Sequence, residues 1–83
     1  MRIPTIHHNG TPREQLIDQV ETAVCAMTDA ITALERMAPN GRDYYPQGPE
    51  AITEAVAEHR ARLSKARDLV KELYAFFNAI DPA

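Results

Sequence analysis

Between Asn40 and Pro49 the chain reads NGRDYYPQGP: two glycines, two prolines and a tyrosine pair, whereas neither glycine nor proline occurs over 13–38 before it or 50–81 after it. Glycine loosens the backbone, and proline fixes φ and removes an N–H, so one continuous helix cannot run through this decamer. The segments on either side are therefore separate elements, and their character decides the fold.

Upstream, TPRE opens the first segment. Thr11 is placed to cap a helix, Pro12 has the φ wanted at a first helical position, and Glu14 stands where a capping box needs its carboxylate. Leu16, Val20, Ala23, Met27, Ala30, Leu34 and Met37 then follow a 4-3 alternation, with Ile17, Val24, Ile31 and Ala38 beside them every seven residues. A stripe this wide belongs to a helix inside a bundle rather than to the narrow seam of a two-stranded coiled coil. The pattern predicts a helix over 11–38, stopped by Pro39, Asn40 and Gly41.

Downstream, Gly48 as a modest cap and Pro49 at the first position start a second helix, with Glu50 and Glu54 near its positive end. Ile52, Val56, His59, Leu63, Ala66, Val70, Leu73, Phe77 and Ile80 repeat the 4-3 alternation, flanked by Ala55, Leu69 and Phe76. The second helix is predicted over 49–80, closed by Asp81 and Pro82, with residues 1–10 irregular and 39–48 as the turn. At 1.5 Å per residue the helices measure roughly 40 Å and roughly 48 Å, so the second is expected to overhang the first at the end away from the turn. That overhang would carry Phe76, Phe77 and Ile80, covered by Ile3 and Ile6 or by a second copy.

Two helices joined by a short turn predict an all-α antiparallel hairpin. One hairpin leaves flanking rows wet. Large apolar side chains contribute about 1.5 to 3 kcal/mol each on full burial, a large share of a small domain's stability. A homodimer forming a four-helix bundle is therefore expected, with Ile17, Val24, Ile31, His59, Leu69, Phe76 and Phe77 at its interface.

Composition narrows the function classes. The 83 residues allow a single domain, and the lone cysteine, Cys25, excludes an internal disulfide. No apolar run approaches a membrane span or signal peptide, and a free thiol suits a reducing compartment, so a soluble cytoplasmic protein is expected. The net charge of -3 argues against a general nucleic-acid binder. His7 and His8 are adjacent in an irregular segment and lack metal-ligand spacing, and Cys25 has no neighbouring cation on its helix, so neither metal nor cofactor is expected.

Three groups could carry function. His59 alone interrupts the apolar rows; it could titrate within a core, but a polar residue there more simply sets register or oligomer state. Arg60, Arg67 and Lys71, leading to Tyr74, line one edge of the second helix and could touch phosphate. Against that, the first helix carries 2 basic and 5 acidic residues, so acidic edges facing basic edges would orient a bundle. Glu58 and Arg62 are also spaced as a favourable i, i+4 pair. The third group is the turn itself: Arg42, Asp43, Tyr44 and Tyr45 combine residue types enriched in binding hot spots. In an extended segment adjacent tyrosines cannot both face inward; one is expected to pack over Met37 and Ile52, with Tyr45 the one chosen, while Arg42 and Asp43 tie the turn by hydrogen bonds.

The size and helix pairing are similar to the all-helical chorismate mutases, but the inward positions here are aliphatic rather than cationic, and no enzyme is expected. The decamer NGRDYYPQGP, with a capped helix before it and EHRARL after it, resembles small helical-hairpin proteins encoded in bacteriophages and bacterial prophages, whose members have no established activity. The resemblance implies a phage or prophage setting and an accessory role, and brings no catalytic residues. The leading expectation is a non-catalytic interaction or adaptor protein that presents the turn to a partner protein. A nucleic-acid-associated protein using the Arg60–Lys71 edge is the alternative.

Overall fold

The computed structural model describes residues 1–80. The chain is all-α: α1 spans Arg13–Glu35, α2 is a single turn over Gly41–Tyr44, a 3-10 turn follows over Tyr45–Gln47, and α3 spans Ala51–Ile80. No strand occurs among the described residues.

Helix ends depart from the expected ones for local reasons. Pro12, at φ -59 and ψ 147, occupies the N-cap position of α1 itself, and no side chain caps the helix. Its carbonyl accepts from the Gln15 and Leu16 N–H groups, both at 3.1 Å. Thr11 therefore lies one residue too early for the capping box expected with Glu14. At the other end, Pro39 disfavours helical geometry at Ala38. The chain answers by tightening after Glu35, with Met37 N–H donating to Leu34 O at 3.0 Å and Ala38 N–H to Glu35 O at 3.2 Å. The helix thus stops at Glu35 rather than at residue 38. α3 begins at Ala51 rather than Pro49, after a turn in which Ala51 N–H donates to Gly48 O at 3.3 Å. The expected closure by Asp81 and Pro82 lies outside the described residues.

α1 and α3 pack along each other. Arg13 Nε, at the start of α1, donates to Ile80 O, the last described carbonyl of α3, at 3.1 Å. Glu35, the last residue of α1, meets Arg67 in the middle of α3 at 3.7 Å. These two ties correct the expected overhang. The far ends are level, and the extra length of α3 lies at the turn end, where α2 and the 3-10 turn pack on it. The turn coils back along α3 instead of spanning a gap, and so the surplus falls there.

The molecule is a rod, 62 × 21 × 20 Å, with a radius of gyration of 18.6 Å. A compact domain of this length would have about 12 Å. The core is correspondingly thin: Val20, His59 and Ile80 are the buried residues among those described, and the other stripe positions are mostly half-buried. Ile3 is half-buried while Ile6 stays 37% exposed.

Candidate functional site

Local bonds build the turn residue by residue. Asn40, at φ -110 and ψ 130, has the extended backbone of a helix cap, and its Oδ1 accepts from Arg42 N–H at 3.0 Å. Its carbonyl accepts from Asp43 N–H at 3.0 Å, and the Tyr45 N–H donates to Gly41 O. Gly48 N–H then closes the 3-10 turn on Tyr45 O at 3.2 Å. Gly48 leaves it at φ 106 and ψ 164, a region open essentially to glycine alone, so this residue sets the direction in which α3 departs.

This helical path reverses the expectation for the tyrosines. Tyr44 is half-buried and Tyr45 is 76% exposed. The segment is helical rather than extended, and in helical geometry consecutive side chains diverge by about 100°, so packing Tyr44 swings Tyr45 into solvent. Met37 is not shielded either, at 63% exposure. Arg42 and Asp43 are exposed, and among the described residues the side-chain tie within the turn comes from Asn40 rather than from them. Arg42, Asp43 and Tyr45 are thus each exposed on a turn whose backbone is internally bonded, with Tyr45 about 60° around the turn from Arg42, and Asp43 on the far side from the ring. The signal for Asn40 was present in its residue type, a preferred cap residue directly before Gly-Arg-Asp.

His59 lies inside the chain, 4% exposed, and is not available to a second copy, contrary to its expected place at an interface. Its Nδ1 lies 3.2 Å from Arg62 NH1, and its buried Nε2 has no partner. A guanidinium can only donate, so Nδ1 accepts and the neutral ring carries its proton on Nε2. Arg62 turns to His59, and among the described residues the Glu58–Arg62 pair is not formed.

The remaining interface candidates divide between two sides of the packed α1 and α3. At 100° per residue Leu69 and Phe76 lie about 140° and about 160° around the helix from Tyr74. Tyr74 lines an open groove of about 450 Å³ with Phe77 and Asn78 of α3 and with Glu21, Val24 and Cys25 of α1. Ile17, Val24 and Ile31 follow one another within about 40° on this same side of α1, half-buried. Leu69, 42% exposed, and half-buried Phe76 belong to the opposite side. Seven-residue spacing identified both flanks but not that they face apart.

Arg60, Arg67 and Lys71 are exposed along α3 on the groove side. Arg67 shares its charge with Glu35, each about half exposed. The hydroxyls of Thr22, Thr28 and Thr32 bond carbonyls one turn back in α1, which occupies their donors. Among the described residues no three His, Cys, Asp or Glu side chains group as a metal site, and no helix is long and apolar enough to cross a membrane. No protein-family model, curated protein or solved structure matches the chain.

Proposed function

We propose that the chain is a non-catalytic protein–protein interaction module: an antiparallel helical hairpin that pairs with a second copy and presents the Arg42–Tyr45 turn to a partner protein. The observation that carries the reading is Tyr45, 76% exposed and about 60° around the turn from exposed Arg42, on backbone held by the Asn40 cap. Ordered backbone lowers the conformational cost of contact, and tyrosine and arginine are residue types enriched at binding hot spots. The ties at Arg13–Ile80 and Glu35–Arg67 support the antiparallel hairpin.

Pairing is supported by surface area. The chain exposes 6409 Å², whereas a compact monomer of this size would expose about 5,000 Å². The surplus exceeds the about 800 Å² that each partner loses in a standard interface. A four-helix bundle of two hairpins would remove it. An accessory role in a phage or prophage setting belongs to the same reading through the resemblance of the turn.

The test is capture of a bacterial host protein by immobilised wild type, with Tyr45→Ala and Arg67→Ala alongside. Loss with Tyr45→Ala and retention with Arg67→Ala is expected; equal capture by wild type and Tyr45→Ala would overturn the role of the turn. A second reading, nucleic-acid association through exposed Arg60, Arg67 and Lys71, predicts binding at low salt that falls steeply as salt rises.

A further inference from the structure

The groove face carries more than apolar surface. Glu14, Glu21 and Glu35 project along its α1 rim, Arg60, Arg67 and Lys71 along its α3 rim, and all six are exposed. Helical phase sets each trio within about 60° of arc, on the side defined by the groove and by the Glu35–Arg67 contact. Between the rims lie Val24, Ile31, Tyr74 and Phe77, and a second groove of about 320 Å³, lined by Ile52, Thr53, Val56, Ala57 and Arg60, continues toward the turn end. One hairpin therefore offers, on one face, an acidic edge, an apolar trough and a basic edge in parallel.

We infer that a second copy of this chain seats on this face, with the two-fold axis parallel to the helices. This rests on the pairing proposed above and specifies its surface and direction. A two-fold along the helices lays each α1 over the other copy's α3, acidic rim against basic rim, with all neighbouring helices antiparallel. A two-fold across the helices, on the same face, would lay acidic rim on acidic rim and basic on basic, which like-charge repulsion disfavours. The opposite face offers no such complementarity. Its α1 side presents Ala23, Ala26 and Ala30, which are uncharged, so charge cannot direct a partner there. Tyr74, 52% exposed at the trough, is the ring that closes under the second copy. The turn stays free, at the same end of the bundle in both copies, so the dimer would offer a bivalent pair of Tyr45 surfaces to a partner.

Light scattering and sedimentation equilibrium test this on five proteins. Wild type is expected to be a dimer, Tyr74→Glu to weaken it about tenfold or more, and Leu69→Glu, on the opposite face, to leave it unchanged. Helicity by circular dichroism checks that each remains folded. Two rim-reversed chains, one with Glu14→Lys, Glu21→Lys and Glu35→Lys and the other with Arg60→Glu, Arg67→Glu and Lys71→Glu, change exposed positions only. Each is expected to be monomeric alone at low salt, and the mixture to be dimeric. Native Cys25 reports the axis: along the helices the two thiols lie at opposite outer edges, beyond the about 7 Å Cα separation a disulfide can span. Oxidation should therefore give no crosslinked dimer. A folded wild-type monomer would refute the pairing itself. A dimer broken by Leu69→Glu but not by Tyr74→Glu, or unaffected by rim reversal, would overturn the face and leave pairing standing. Efficient Cys25 crosslinking would overturn the direction of the axis.

Discussion

Replacing His59 with leucine puts the thin core to a quantitative test. The ring is 4% exposed, its Nδ1 accepts from Arg62, and its Nε2 finds no acceptor. Leaving a buried donor unpaired costs about 1 to 3 kcal/mol, and leucine removes that donor while keeping an apolar side chain of similar size in place. Against the gain stand the lost contact with Arg62 and the misfit of a branched chain in a site shaped for a ring. Arg62 is itself exposed, so its guanidinium returns to water and the loss is about 1 kcal/mol. Misfit in a volume-conserving swap costs less than about 1.5 kcal/mol, and in so lightly packed a rod it falls toward zero. The balance is a stabilisation of about 1 kcal/mol, which for a chain of this size raises Tm by about 4 to 8 °C. Circular-dichroism melts of wild type and His59→Leu, at equal protein concentration because association makes Tm depend on it, read the shift. Long-range 1H–15N correlation on the wild type should place the ring proton on Nε2. A variant that melts lower, or a proton on Nδ1, would refute the assignment of an unpaired buried donor.

Asn40→Ala removes the oxygen that accepts from Arg42 N–H and should cost about 0.5 to 2 kcal/mol in a thermal melt, while Asn40→Asp keeps the cap and most of the stability. Gly48→Ala meets no atom within 4 Å, so its cost is purely conformational; at φ 106 it should lose about 1 to 3 kcal/mol, and a neutral effect in urea unfolding would contradict the turn geometry. Tyr45→Ala should leave the unfolding free energy from urea titration within about 0.5 kcal/mol of wild type, because the ring is solvent-facing, whereas Tyr44→Ala should cost about 1 kcal/mol through lost burial. Reversal of that order would return Tyr45 to a packing role.

The two long helices and the break between them follow from the sequence alone. Each rests on periodicity or punctuation acting over a few residues: the 4-3 rows, the unbroken runs without glycine or proline, and Pro39 beside Asn40 and Gly41. Packing decided what depends on where one helix sits against the other. The level far ends, the surplus of α3 beside the turn and the pairing of Glu35 with Arg67 are questions of registry, which a stripe fixes in angle but not in axial position. The exchange of Tyr44 for Tyr45 arose because NGRDYYPQGP, full of turn residues, still closes a helical turn and a 3-10 turn, and each added residue rotates the next side chain by about 100°. The charged groove needed both helices at once: Glu21 and Lys71 are 50 residues apart in the chain and share a face only because α1 and α3 lie side by side.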